Sequence, residues 1–452
     1  MDKKMILLTE QLNDDSTKLA ISLDAAGYDY QAVVINYDGF LPDEAVSPYG
    51  YFVSGGEEPQ GKPLYFDKLD IPELWEIESS NASGELFEYE QLRAKLFYVE
   101  PKEKRFIRIV DWLDKNGKVR FSDHYDKFGR RFAQTILNRE QKPVHKTYFD
   151  AQNREVITEN LLTGTIILTW QGKELFFRSK SDFVVFYLEQ CGAQPERLLI
   201  NSLSVPFFAA DKLKAKRPEM THNILFWQEP IGDDIPGNMK TILSSGTGGV
   251  EKIVVQRADA AEKIASLPVD QSKFAGLGYI YDVEGENHAS PEALIFTNSD
   301  QIERLEELVE RLPEVHFHIG AITEMSQKLM AFDRRKNVTL YPVISDRNVS
   351  ELREKCDFYL DINHGGEILT AVRSAFLGNQ VIFAFRQTVH ARSFISPENI
   401  FDSGDWEKLA ERLRLLVGNA EAVNEALAAQ AVHANAAEPE DYRAVIDMTD
   451  HQ

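Results

Sequence analysis

The chain has 452 residues, a formal net charge of −22 and 43% hydrophobic residues, which is enough length for two or three domains with sizeable cores. So acidic a balance argues against nucleic acid as a principal partner, because phosphate contacts need clustered Lys and Arg. Cys191 and Cys356 are the only cysteines, which excludes a disulfide framework and predicts a reducing cytoplasm.

The opening MDKKMILLTEQL has an apolar run too short for a signal sequence and reads as a first strand. A strand at Met5–Leu8, a helix at Ser16–Ala26 and a strand at Ala32–Asn36 are expected, and then Asp38-Gly39 and Leu41-Pro42 break the pattern. A Gly/Pro-rich connection runs to Pro72. From residue 85 to 177 apolar and polar residues alternate, with turn signals at Asp114–Gly117, Asp126–Gly129, Asp150–Asn153, Thr163-Gly164 and Gln171-Gly172. Regular turns between β-rich runs predict an antiparallel meander inserted into an α/β domain.

That domain resumes with a helix at Ser181–Cys191 and a strand at Leu198–Asn201, and the basic Ala210–Pro218 reads as a linker. Strands are then expected at Ile224–Trp227, Ile253–Gln256, Leu277–Tyr281, Leu294–Thr297, Val315–Ile319, Val338–Tyr341, Phe358–Ile362 and Val381–Phe385. Helices such as Gln301–Leu312 lie between most of them, which implies a doubly wound parallel sheet. A helix at Asp405–Leu416 precedes an Ala/Glu-rich tail expected to fray after His433. The predicted fold class is α/β with two Rossmann-like domains: the first split over 1–50 and 178–215, the meander over 51–177, the second over 216–433, and a flexible tail over 434–452. No segment approaches the roughly twenty apolar residues of a membrane span, so a cytoplasmic chain is expected, with peripheral attachment at the inner face of the membrane left open.

The stretch DFYLDINHGGEILTAVRSAFLGNQVIFAF, residues 357–385, reads as strand, glycine loop, helix from Glu367 to Leu377, and strand. A glycine loop entering a helix N-terminus is a natural anion cradle. Ser244–Gly249 resembles a phosphate loop only superficially, since it follows a helix and reads as a turn. His316 and His318 alternate on one strand face and have no third ligand at metal spacing, so a structural role is expected and no metal is assigned.

Two Rossmann-like domains, the second ending in that motif, resemble a glycosyltransferase of GT-B architecture. The runs INYDGFLP, GKPLYF, IVDWLDKNGKVRFSDHYDKFGRRFAQT, NSLSVPFF and LVERLPEVHFHIGA are more specific and resemble the accessory-Sec glycosyltransferase-stabilising family. The resemblance implies a heteromeric, expectedly heterotetrameric, complex with a similarly folded catalytic O-GlcNAc transferase. It also implies presentation of an unfolded Ser/Thr-rich polypeptide, a serine-rich-repeat adhesin, for glycosylation before accessory Sec export.

Active retaining transferases of this architecture carry two glutamates at the positions that align with Gly365 and Arg373. Neither residue can accept sugar hydroxyls as a carboxylate would. Glu367 is expected in the first helical turn, where the dipole favours a carboxylate and where it would repel a diphosphate. The family's diphosphate-binding Arg and Lys align with the segment after ALIF, where Asp300 and Glu303 stand instead. Losing one preorganised charge stabiliser costs about 3–4 kcal/mol of transition-state binding. The expectation is therefore a vestigial donor site (Asp300, Glu303, Gly365, Glu367, Arg373), no catalytic residue and no cofactor. The alternative is an active UDP-sugar-dependent retaining transferase. A plain scaffold that touches no acceptor is the third reading.

Residues 101–146 hold 13 Lys/Arg against 6 Asp/Glu, interleaved with aromatics. A projecting sheet of this kind can bind extended peptides by strand addition or pockets, although a solvated sheet face explains the composition as well. Asp111, Trp112, His124, Tyr125, Arg130 and Arg131 are the candidate acceptor-binding residues.

Overall fold

The computed structural model describes residues 5–56, 59–190 and 195–447, so Cys191 and the last five residues lie outside the description. The chain divides into two compact units, one running to Gly276 and including the residues from Arg443 onward, the other spanning Leu277–Tyr442.

The first unit is built on a seven-stranded parallel sheet. Its order is Phe274–Gly276, Val250–Val255, Asn223–Trp227, Arg197–Ile200, Met5–Thr9, Tyr30–Val34, Ala45–Val46. The strands MILLT, RLLI and NILFW are buried almost throughout, as expected for a sheet covered on both faces. The first helix, Asp14–Ala25, starts on a capping box in which Asn13 and Ser16 satisfy each other's backbone N–H groups.

This topology moves the expected domain boundary. Asn223–Trp227 pairs in parallel with Arg197–Ile200, matching Leu199 to Ile224, and therefore belongs to the first sheet together with Val250–Val255. The second Rossmann-like domain does not begin at 216. The expected linker is the helix Val205–Lys216, whose apolar face is buried and whose last turn is basic; exposed lysines made a surface helix look like a connection. Leu277–Tyr281 is not a strand and carries only an isolated bridge from Tyr279 to Ala436.

The insertion is a ten-stranded antiparallel sheet whose strands follow chain order from Trp75–Ser79 to Lys173–Phe177. One half of it packs against helices Pro48–Ser54 and Lys180–Gln190. There Tyr49 stacks on Tyr148 at 4.6 Å and Phe52 meets Trp170 edge-on at 5.0 Å. The other half builds a separate small core of Leu69, Leu86, Ala94, Leu96, Ile107 and Val110.

The second unit holds a six-stranded parallel sheet in the order Val338–Tyr341, His316–Ala321, Glu292–Thr297, Phe358–Asp361, Val381–Phe385, Ile400–Phe401. The expected flexible tail is instead ordered as far as residue 447. Helix Ala420–His433 is followed by helix Pro439–Ile446, and Tyr442 is fully buried with its hydroxyl donating to the Gly278 carbonyl at 2.8 Å. An alanine-rich composition hid the single aromatic anchor that fixes this segment. No helix among the described residues is long and apolar enough to cross a membrane.

Candidate functional site

In the second sheet, Glu292–Thr297 and Phe358–Asp361 are adjacent, and from them the chain winds outward in opposite directions. The crevice beyond their carboxyl ends is where such sheets bind ligands. Here it is stitched shut. Thr297 Oγ1 donates to Asn363 Oδ1 at 2.7 Å, Glu303 N donates to the Ile362 carbonyl at 2.8 Å, and His364 N donates to the Gln301 carbonyl at 3.0 Å. The two loops that would flank a nucleotide are hydrogen-bonded to each other.

Three of the five residues expected to be vestigial, Gly365, Glu367 and Glu303, lie in the loops that flank this crevice. A Cβ built on Gly365 would sit 1.8 Å from Asn298 Oδ1, the tip of an exposed side chain, so any larger residue there requires Asn298 to turn aside. The Gly365 carbonyl bonds to His390 Nε2 at 2.7 Å, and Asp361 Oδ1 accepts from His390 Nδ1 at 2.6 Å. The Asp361 carboxylate, followed by the Gly365 carbonyl, pushes the His390 pKa up to about 9, so the imidazolium is a charged pin under the loop. Glu367 lies before the helix and not in its first turn, because Leu369 and Thr370 take positive φ and the helix starts at Ala371. Its carboxylate still serves that N-terminus, accepting from Val372 N at 3.0 Å.

Glu303 turns inward to Ser403 and to His364 Nε2, and both hydrogen bonds hold its carboxyl below the ordinary range. Asp300 is exposed on the rim of a small cavity of about 120 Å³, and Arg373 is half-buried on its helix. The one cation in the loop after Thr297, Arg304, is held by Glu307 at 2.7 Å and Ser403 at 3.1 Å. His316 and His318 bond to Thr339, Glu292 and Tyr341, and residues 246–249 form a turn leaving a helix.

The meander candidates do not form one patch. Successive strand residues point to opposite faces, and the hydrogen bonds divide accordingly. Asp111 accepts from Ser122 Oγ at 2.5 Å and His124 Nε2 bonds to Thr135 Oγ1 at 2.8 Å on one face. On the other, Trp112 Nε1 donates to Asp123 at 2.8 Å, the carboxylate that Arg131 and Gln134 also reach. Burial, then Lys146 and Arg108, depress the His124 pKa to about 3, so its ring is neutral. Arg130 clasps the fully buried Asp126 carboxylate at 2.8 Å. Each of these side chains except Tyr125 has a polar partner inside the sheet.

Sequence reasoning passed over a second crevice, in the first unit. At the carboxyl ends of the first sheet a cavity of about 620 Å³ is lined by residues that include Glu10, Asn36, Asn201, Ser204, Trp227 and Gln228. The signal was present in the sequence, since Asn, Ser, Gln and Glu directly follow three of its apolar strands, NSLS among them.

Four domain families match in order: "GtfB N-terminal domain" over residues 6–52, "GtfB middle domain" over 75–178, "GtfB third domain" over 180–267 and "GftB/GlyA-F C-terminal domain" over 293–430. The UDP-N-acetylglucosamine–peptide N-acetylglucosaminyltransferase stabilizing protein GtfB of Streptococcus agalactiae is 44% identical over 92% of this chain and 93% of its own length. The Streptococcus gordonii protein of the same name is 41% identical over 95% and 96%. Among solved structures, a chain of a GtfA/B complex bound to UDP and GlcNAc superposes with a TM-score of 0.90 at 40% identity, covering 98% of this chain and 99% of that one. The pneumococcal O-GlcNAc transferase GtfA shares the fold at a TM-score of 0.53 and 13% identity.

Proposed function

The chain belongs to the family of UDP-N-acetylglucosamine–peptide N-acetylglucosaminyltransferase stabilizing proteins, and on that premise we propose that it is the non-catalytic subunit of a protein O-GlcNAc transferase. It stabilises a catalytic partner of similar fold and binds the Ser/Thr-rich polypeptide that the partner glycosylates, a serine-rich-repeat adhesin handled in the cytoplasm before export. The observation that carries the non-catalytic reading is the stitched donor crevice, in which Asn298 occupies the space of a side chain at position 365. A transferase needs cationic groups preorganised on the leaving diphosphate; this crevice has Glu367 capping the helix, and the one cation in the loop after Thr297, Arg304, is engaged by Glu307 and Ser403.

Supporting this reading, the relatives of similar length carry the stabilizing name, and a chain of similar sequence crystallised with GtfA. The test is UDP-GlcNAc turnover by the purified chain, by the purified partner and by the complex, with a Ser/Thr-rich peptide as acceptor. Transfer by the complex, none by this chain alone, and a higher melting temperature for the partner when bound are the expected results. Steady transfer or donor hydrolysis by the chain alone would overturn the reading.

A further inference from the structure

Met5–Thr9 lies between Arg197–Ile200 and Tyr30–Val34, and from it the chain winds outward both ways. The topological switch point of the first sheet therefore falls at Glu10 and Asn201–Ser204, where open α/β sheets bind ligands. The cavity of about 620 Å³ there is within the usual span of small-ligand sites, roughly 300–1,000 Å³.

Two deeply buried side chains lining it have a polar atom with no hydrogen-bond partner among the described residues: Trp227 Nε1 and Asn201 Oδ1. Trp227 is 3% exposed and Asn201 9%. Leaving a buried donor or acceptor unmade is costly, and interiors satisfy almost all such atoms. Asn201 is held in place, its Nδ2 donating to Gln228 Oε1 at 3.1 Å while Gln228 Nε2 reaches Gln256 Oε1 and the Asp15 carbonyl, both at 2.8 Å. That chain of amides assigns the Asn201 amide nitrogen to the protein and leaves its oxygen for the crevice. Trp227 can only donate and Asn201 Oδ1 can only accept, so the pair suits a ligand that offers one of each.

The rest of the lining narrows the chemistry. It contains no Lys, Arg or His, while Glu10, Asp15 and Glu229 supply carboxylates. A nucleotide diphosphate or any other anion is therefore disfavoured. Ser202 and Ser204 place their hydroxyls 2.6 Å apart at the rim, with Ser204 donating to Glu10. These groups favour a neutral ligand dense in hydroxyls and amides.

We infer that this crevice binds the hydroxyl-and-amide unit of an acceptor polypeptide, a seryl or threonyl residue with its peptide group or the N-acetylhexosamine it comes to carry, between Trp227 Nε1 and Asn201 Oδ1. The source of the ligand rests on the acceptor-binding reading above; the site itself goes beyond it.

The test uses the full chain in complex with its transferase partner and two labelled probes, an unmodified Ser/Thr-rich peptide and the same peptide carrying O-linked GlcNAc. Trp227→Phe keeps the aromatic volume and removes the donor; Asn201→Ala removes the acceptor and guards against a folding failure in the first variant, with melting temperature measured for both. Each folded variant should bind about 3- to 10-fold more weakly than wild type, the effect of one hydrogen bond. Weakening with both probes assigns the peptide unit, and weakening with the modified probe alone assigns the sugar. Wild-type binding with unchanged affinity in both variants overturns the site. No binding of either probe by the wild-type complex overturns the acceptor reading and this ligand assignment together.

Discussion

Gly365 is glycine because of what stands beside it. A Cβ there would meet Asn298 Oδ1 at 1.8 Å, so Gly365→Ala must displace Asn298 from the stitched crevice. Turning one exposed side chain aside costs about 1 kcal/mol, the low end for overpacking, and a slightly lowered denaturation midpoint at unchanged slope is the expected result. The double variant Gly365→Glu/Arg373→Glu should regain no transferase activity, because Asp300 and Glu303 still stand where a leaving diphosphate needs positive charge. His390 makes a second prediction at this scale. Its folded pKa of about 9 lies above the ordinary 6.5, so its contribution is fully present below pH 6.5 and is lost as pH rises through 9. The stability gap between wild type and His390→Gln should therefore be widest near pH 6 and narrow towards pH 9 and above; a gap that widens with pH would overturn the assignment. The sequence singled out Gly365, Glu367 and Glu303, and the structure places all three in the loops beside the second sheet's crevice. It gave no role to Asn298 or His390, whose roles depend on loop contacts between residues far apart in the chain.

At the scale of elements, the middle of the meander repeats a twelve-residue module. Asp114, Asp126, Asn138 and Asp150 recur at that interval, and each side chain accepts the backbone N–H groups two and four residues on. The residue three positions on takes positive φ: Gly117, Gly129, Gln141 and Asn153. Three of the four turns were legible because Gly or Asn holds that position, where left-handed backbone is cheap; the turn at Asn138 was not, because Gln141 gives no such signal. In the second module Arg130 also pairs with Asp126, whose carboxylate is fully buried. Arg130→Ala should thus act on the hairpin and cost about 1–3 kcal/mol, the penalty of an unmatched buried polar group, with partner binding unchanged once the variant is folded. Urea denaturation of the complex and of the free chain checks this; a variant as stable as wild type would show that the two backbone N–H groups suffice for Asp126. The misplaced boundary at 216 has a different cause. Periodicity reveals that NILFW is a buried strand but not which sheet it joins, and only its pairing with Arg197–Ile200 answers that.

Across the whole molecule, two parallel sheets each have a switch point, and the chain treats them oppositely. In the Leu277–Tyr442 unit the loops after Thr297 and Asp361 bond to each other and to His390. In the unit running to Gly276 the corresponding edge opens into a polar cavity with a buried donor and acceptor in its wall. Amide hydrogen exchange separates the two, because protection reports local opening. A stitched crevice has little left to gain from a ligand, so residues 298–303 and 362–370 should exchange slowly and at the same rate with and without UDP-GlcNAc. Residues 10–15 and 201–204 line the open crevice, and their exchange should slow when a Ser/Thr-rich peptide is added to the complex. The peptide result should be nearly independent of salt, since a neutral ligand gains little from long-range charge. Slowing at 298–303 by the nucleotide would mean that the donor crevice still opens and binds, and the sealed-site argument would fail at its root. Slowing confined to the meander strands would instead move acceptor recognition onto the sheet that carries Trp112 and Arg131.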